Sequence, residues 1–131
     1  MRNNKRFIVL AVVFMLFITV SYAAVQSWNT VLPAFRVRKD VATGTSGSNN
    51  YSKAAIDILS PSIYTTIRAR IWCQQLGSWA TAQHLLTRSD GMASLSFYDS
   101  SYKNKNMTLA VSNNTYTTDA VTAQGRVNFN P

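Results

Sequence analysis

The segment SIYTTIRARIWC, residues 62–73, alternates between two kinds of side chain along its whole length. A period of two is typical of a β-strand with one buried face, because an α-helix repeats every 3.6 residues instead. On one face the alternation places Ile63, Thr65, Ile67, Ala69, Ile71 and Cys73. On the other face it places Tyr64, Thr66, Arg68, Arg70 and Trp72. Burial of an isoleucine stabilises by roughly 1.5 to 3 kcal/mol, so we expect the first face in the core and the arginines outside.

A second alternating segment, residues 35–41, carries two more arginines. Its apolar side chains are expected to face the core, namely Phe35, Val37 and Val41. Arg36 and Arg38 then face solvent, and Lys39, which interrupts the apolar row, places this strand near a sheet edge. The next stretch, residues 42–52, is small, polar and rich in glycine, and we expect it to be a loop.

Shorter alternating segments occupy the rest of the chain. Strands are predicted at residues 55–59, 93–98, 107–111 and 121–129, with turn signals between them. Residues 79–86 fit either a strand or a short helix, and the surrounding pattern favours a strand. Six or seven short strands of this kind predict an all-β fold, a small antiparallel β-sandwich, with a small barrel as the alternative.

The N-terminal residues depart from this pattern. Three basic side chains precede fourteen residues, 7–20, that contain a single polar side chain, and the small residues Ser21 and Ala23 follow. This order is typical of an export signal, with cleavage expected after Ala23. We therefore expect a signal peptide at residues 1–23 and a single β-rich domain at residues 24–131. A membrane span needs about 20 apolar residues, so an uncleaved anchor is the less favoured alternative.

Composition limits what this domain can do. After removal of residues 1–23, ten basic side chains and five aspartates remain among 108 residues, which leaves a net charge of +5. Such a charge favours anionic partners. The sequence has no glutamate and a single histidine, His84, so paired catalytic carboxylates and a metal site have little support. We expect no enzyme activity, no cofactor and no bound metal.

The arginines of the two alternating segments define a candidate binding surface. If their strands pair, they form a basic strip bordered by aromatic side chains, made of Arg36, Arg38, Lys39, Tyr64, Arg68, Arg70 and Trp72. Such a strip would attract anionic polymers or phospholipid headgroups. Nucleic acid has suitable chemistry, but an exported protein seldom meets it, and we expect no nucleic-acid partner. A solvated arginine opposite a buried isoleucine also needs no function, and this ordinary alternative stays open.

The single cysteine, Cys73, continues the apolar row of residues 62–73. A lone cysteine cannot close an internal disulfide, and at such a position it usually behaves as a small buried side chain. The alternative is an exposed thiol that forms an intermolecular disulfide between two copies. A catalytic pair with His84 has no support from sequence spacing.

Larger motifs carry a family resemblance. The export signal is followed by a first strand FRVR, a Ser/Gly/Asn loop with NNYS, a central strand ending in Trp72, and a closing pattern MTLAVSNNTYTTDAVTAQGRVNF. This layout resembles small exported β-rich proteins of Gram-positive bacteria that have no assigned activity, and it is loosely similar to lactococcin-type bacteriocins. The resemblance covers most of residues 24–131 and implies a bacteriocin-like domain that acts at the cell envelope.

Two functions from different classes fit these features. The first is a cationic exported protein that binds an anionic envelope polymer or membrane surface through the basic strip and inhibits competing cells. The second is an extracellular structural or interaction subunit that self-associates or joins a protein partner through a sheet edge or Cys73. Both predict a secreted or cell-surface protein. The first predicts binding that raised salt releases, and sizing chromatography with and without reductant separates the two.

Overall fold

A computed structural model of the protein describes residues 25–48, 52–62, 65–114 and 119–131. These residues form nine β-strands and two short 3-10 helices. In chain order the strands are β1 (Gln26–Leu32), β2 (Lys39–Thr45), β3 (Lys53–Ser60), β4 (Ile67–Cys73), β5 (Ser78–Trp79), β6 (His84–Leu86), β7 (Ala93–Ser96), β8 (Asn106–Asn113) and β9 (Val121–Asn128). The 3-10 helices are Arg88–Asp90 and Ser100–Tyr102. Within the described residues, no helix is long and apolar enough to cross a membrane.

The strands form two antiparallel sheets. The first sheet has the order β1-β9-β3-β7, and the second has the order β2-β8-β4-β5, with β6 also paired to β4. Buried side chains from both sheets join in one hydrophobic core. The all-β sandwich predicted from the sequence is therefore confirmed. The described residues contain nine strands rather than six or seven, because the region predicted as one strand at residues 79–86 is divided and β1 was not predicted.

The alternation of residues 62–73 is confirmed where the structure describes it. The inward side chains of β4 have exposures of 0% for Ile67, 1% for Ala69, 0% for Ile71 and 0% for Cys73. β4 pairs with β8 on one side and with β5 and β6 on the other, so neighbours on both sides hold its register. Its outward side chains are half-buried. Ile63 and Tyr64 lie outside the described residues.

Only the last part of the strand predicted at residues 35–41 forms, as the start of β2, which lies at a sheet edge as expected. Phe35 and Val37, expected in the core, are 59% and 50% exposed, and only Val41 packs partly against the core. Phe35 and Arg36 have φ angles of 62° and 59°, so the chain turns before β2 begins at Lys39. The prediction was wrong because a left-handed turn built without glycine leaves no mark in the apolar pattern. β2 then runs through the first part of the predicted loop, as far as Thr45.

β1 is the strand that the sequence pattern did not reveal. It pairs with β9 along its whole length, and it buries Trp28 and Leu32. The Trp28 ring covers Gly125 of β9, where a side chain would collide with that ring and with the carbonyl of Asp57. Ala123, Val127 and Phe129 share the inward side of the strand predicted at residues 121–129 and are also buried. Gly125 therefore leaves the space into which the indole packs.

Candidate functional site

The outer face of the second sheet carries a groove, which we name the arginine groove. Across β4 and β8, Arg68 lies opposite Ser112 and Arg70 opposite Ala110, so these side chains share one face of the sheet. The segment before β2 adds Arg36 and Arg38. The lining residues are Arg36, Arg38, Arg68, Ala69, Arg70, Trp79, Gln83, Ala110, Val111 and Ser112. Four arginines thus line one groove with a volume of about 180 Å³.

Arg68 and Arg70 are held in place by neutral acceptors. Arg70 Nε donates to the carbonyl oxygen of Thr81 at 2.9 Å, and its Nη2 donates to the hydroxyl of Tyr98 at 3.2 Å. Arg68 Nη2 donates to Gln83 Oε1 at 2.5 Å. Because none of these acceptors is charged, they orient the two guanidinium groups without neutralising them.

The segment before β2 holds the other two arginines by different contacts. Arg36 Nε donates to the carbonyl oxygen of Asn114 at 2.5 Å, which ties the turn to the end of β8. Arg38 Nε forms an ion pair with Asp40 Oδ1 at 2.8 Å, and the two side chains are 43% and 54% exposed. Such a solvated pair contributes about 0 to 1 kcal/mol. The Asp40 carboxylate therefore offsets only a small part of the positive charge of the groove.

Two tryptophan rings contact arginines of the groove. The guanidinium carbon lies 4.6 Å from the Trp79 ring centroid for Arg70 and 4.8 Å for Arg38. Trp72 lies opposite Trp79 across the strands and meets its ring edge-on at 5.2 Å, with Arg38 at 5.6 Å from the Trp72 ring. Each cation–π contact contributes about 0.5 to 1 kcal/mol at an exposed site. The rings therefore order the guanidinium groups before any ligand arrives.

The structure brings together part of the basic strip predicted from the sequence. Arg68 and Arg70 face outward as expected, and Arg36 and Arg38 join them with Trp72 at the border. Lys39 does not join them. It is exposed and lies opposite the buried Val111, so it belongs to the other face of the sheet from Arg70. Tyr64 lies outside the described residues.

Trp79 and Gln83 line the groove but were not predicted as site residues. Both belong to the segment whose structure was ambiguous, and the structure shows it as extended chain rather than helix. A turn with Gly77 at φ 58° returns the chain alongside β4. Because a turn at Gly77 was expected, counting residues back along the hairpin could have placed Trp79 opposite Trp72.

Cys73 is a free thiol with 0% exposure, which agrees with the buried interpretation. An intermolecular disulfide would first require β4 to open. His84 lies opposite Ala69 on β4, at a register position four residues away from Cys73, so the register does not bring the two together. Among the described residues, no group of three or more His, Cys, Asp and Glu side chains could hold a metal ion.

The chemistry of the groove suits an anion. The planar guanidinium group donates two parallel hydrogen bonds to carboxylate, sulfate or phosphate oxygens. A drug-sized ligand occupies a pocket of about 300 to 1,000 Å³, and the arginine groove, at about 180 Å³, is smaller. The groove is therefore suited to one anionic group of a larger molecule rather than to a whole enclosed ligand.

Comparisons with known proteins bear on the fold. No protein-family model matches the sequence, and no curated protein matches it. The chain is similar to the crystal structure of the mitogen derived from Yersinia pseudotuberculosis, with a TM-score of 0.51 and 6% identity over 82% of this chain and 86% of that one. It is also similar to part of the structure of infectious bursal disease virus, Gt strain, with a TM-score of 0.35 and 9% identity over 80% of this chain and 31% of that one. The first likeness supports the β-sandwich and shows the fold alone, and the second is too distant to carry an argument.

Proposed function

We propose that this protein is an exported cationic protein that binds an anionic cell-envelope surface through the arginine groove. The observation that carries the proposal is the fixed arrangement of Arg68 and Arg70, held by neutral acceptors and, for Arg70, by the ring of Trp79. A merely solvated arginine gains little from being ordered in this way. A bound anion would accept charge-assisted hydrogen bonds from these guanidinium groups. Because the fold already orders the two side chains, binding would cost less side-chain conformational entropy.

The sequence supports the place of action and the kind of ligand. The N-terminal pattern favours export, and the net charge of +5 on residues 24–131 favours association with anionic polymers and membranes. The resemblance to lactococcin-type bacteriocins makes inhibition of competing cells a proposed consequence of binding. A subunit joined through Cys73 has less support, because the thiol is buried.

Sedimentation with cell-envelope preparations tests the proposal. Binding should weaken as salt rises, since exposed charges are screened beyond about 10 Å at 0.1 M ionic strength. The double variant Arg68→Ser, Arg70→Ser should bind roughly 30-fold more weakly, because each cation near an anionic surface contributes about 1 kcal/mol.

A matched control separates the groove from overall charge. Lys53→Ser with Arg88→Ser removes the same charge from exposed positions that do not line the groove. This control should lose much less binding than the groove variant. Equal losses would show that net charge alone carries attachment, and unchanged binding by the groove variant would refute the proposal.

A further inference from the structure

The turn that brings Arg36 to the groove also exposes two apolar side chains. Phe35 is 59% exposed and Val37 is 50% exposed, and each is a chain neighbour of an arginine that lines the groove. At the border formed by β6, Leu85 lies opposite Arg68 across the strands and is 55% exposed. Exposed apolar residues thus neighbour the arginines along the chain and across the strands, where a groove that binds only soluble anions would need none.

The backbone of this turn is held in an unfavourable conformation. Phe35 and Arg36 both have positive φ angles, 62° and 59°. For residues other than glycine this region costs about 1 to 3 kcal/mol each, and such strain is concentrated at ligand-binding segments. The hydrogen bond from Arg36 Nε to the Asn114 carbonyl, at 2.5 Å, anchors the turn. An anchored, strained turn that presents a phenylalanine to water points to a ligand that covers the ring.

We propose that the arginine groove and residues 35–37 form a membrane-docking surface. The arginines bind the phosphates of anionic lipid headgroups, and Phe35 and Val37 enter the interfacial layer of the bilayer. This inference rests on the proposed function and names the ligand of the same site.

Three features favour a lipid surface over a water-soluble anionic polymer. Interfacial binding combines apolar burial with attraction between cations and anionic lipids, and the groove and the turn supply both at one place. A groove of about 180 Å³ suits one headgroup phosphate, with the rest of the lipid remaining in the bilayer. A soluble polymer would satisfy the arginines but leave Phe35 and Val37 in water.

Vesicle sedimentation tests the inference on variants of the full chain. The protein is recovered from an exporting host and the mass of each variant is checked, so that all variants carry the same N-terminus. Binding to vesicles of phosphatidylglycerol and phosphatidylcholine is measured relative to pure phosphatidylcholine, and binding to soluble polyphosphate is measured in parallel. The variant Phe35→Ser, Val37→Ser should bind anionic vesicles at least about tenfold more weakly, because interfacial affinity scales with buried apolar area. Its binding to polyphosphate should stay close to that of the unmodified protein.

Two further variants sharpen the result. Leu76→Ser with Met92→Ser removes comparable apolar side chains, 45% and 50% exposed, from positions that do not line the groove, and vesicle binding should be unchanged. Phe35→Trp should bind vesicles at least as tightly as the unmodified protein, because tryptophan favours the depth of the headgroups.

The outcomes distinguish this inference from the proposed function. If the unmodified protein binds polyphosphate but not anionic vesicles, the lipid inference fails and the anion-binding function stands. Equal vesicle binding by the Phe35→Ser, Val37→Ser variant also overturns the inference. A parallel loss of polyphosphate binding overturns it as well, because the turn would then serve only to position the arginines. If the unmodified protein binds neither probe, both proposals fail together.

Discussion

Arg126 on the outer face of the first sheet and Arg68 and Arg70 on that of the second have opposite kinds of partner. In the first sheet, Arg126 Nη2 of β9 donates to Asp57 Oδ2 of β3 at 2.5 Å, and the Asp57 side chain is only 9% exposed. In the second sheet, Arg68 and Arg70 donate to an amide oxygen, a carbonyl and a hydroxyl. The Arg126 side chain is 45% exposed, yet a carboxylate within the protein balances its charge. Exposure alone therefore does not distinguish Arg126 from Arg68 and Arg70, whereas the charge of their partners does.

The strongest test of this contrast compares one aspartate from each sheet. Asp57→Ala should lower the free energy of unfolding by about 2 kcal/mol, because it leaves Arg126 without its carboxylate and truncates a side chain that is only 9% exposed. Asp40→Ala should change it little, because that ion pair is solvated. Urea unfolding of both variants measures the difference. Equal effects would mean that the two outer faces do not differ in the way described.

A second test asks whether the groove recognises anions by shape as well as by charge. Arg70→Lys keeps the charge but loses the planar fork and the stacking on Trp79. We expect roughly fivefold weaker binding to anionic envelope material, equivalent to about 1 kcal/mol. Lys39→Ser, on the other face of the sheet, should bind more tightly than Arg70→Lys although it removes a charge. If Lys39→Ser instead bound more weakly than Arg70→Lys, net positive charge rather than the geometry of the groove would determine binding.

Removal of the carboxylate beside the groove should strengthen binding slightly. Asp40→Asn deletes the negative partner of Arg38 and leaves the guanidinium available to a ligand. We expect affinity to rise roughly twofold to threefold at low salt, since an exposed pair of this kind contributes less than about 1 kcal/mol. Titration of the unmodified protein and the variant at two salt concentrations measures the effect, which should shrink as salt screens the charges. A loss of affinity would show that Asp40 positions Arg38 for binding rather than competing with the ligand.

The fold was predictable where the local pattern and the distant contacts agree. In β4, the two-residue period alone predicted that Ile67 and Ile71 are buried and Arg68 and Arg70 outward, because partners on both sides of the strand impose the same register. For β3 the sequence predicted a strand at residues 55–59 but not its burial on both faces: Ile56 and Ile58 belong to the hydrophobic core, and Ala55 and Asp57 on the other face are buried too. β3 also lies close to the 3-10 helix before β7, a proximity that the local period of the sequence does not reveal.

The candidate site was only partly predictable, because its decisive contacts are not local. The ion pair that satisfies Arg126 joins residues 69 positions apart, so the sequence does not distinguish this arginine from those of the groove. The exposed position of Phe35 depends on two positive φ angles at non-glycine residues, which composition does not reveal. The sequence identified the basic residues that could form a binding surface. Only the register of the paired strands showed which of them lie on the outer face of the second sheet.

The smallest expected effect concerns Asp99, whose carboxylate accepts hydrogen bonds from neutral groups. Asp99 follows Tyr98, the residue whose hydroxyl accepts from Arg70. The Ser101 hydroxyl and the Ser101 backbone amide donate to Asp99 and hold its pKa below the ordinary value of 3.8. Because the folded-state pKa is depressed, the stability that these bonds contribute is present above the unfolded pKa and is lost as pH falls through the folded one. Asp99 is fully exposed, so this loss should be slight.

An NMR titration of the Asp99 carboxyl group checks which cause dominates. In the Ser101→Ala variant the midpoint should rise toward 3.8, and it should stop short of that value because the backbone amide still donates. In the Arg70→Ser variant the midpoint should stay where it is in the unmodified protein. If Arg70→Ser moved the midpoint and Ser101→Ala did not, the field of the groove would extend to the next carboxylate along the chain. The contrast between Arg126, whose charge a carboxylate of the protein balances, and the arginines of the groove would then be smaller than the two sheets indicate. A groove that stabilises the Asp99 carboxylate would already use part of its positive potential within the protein.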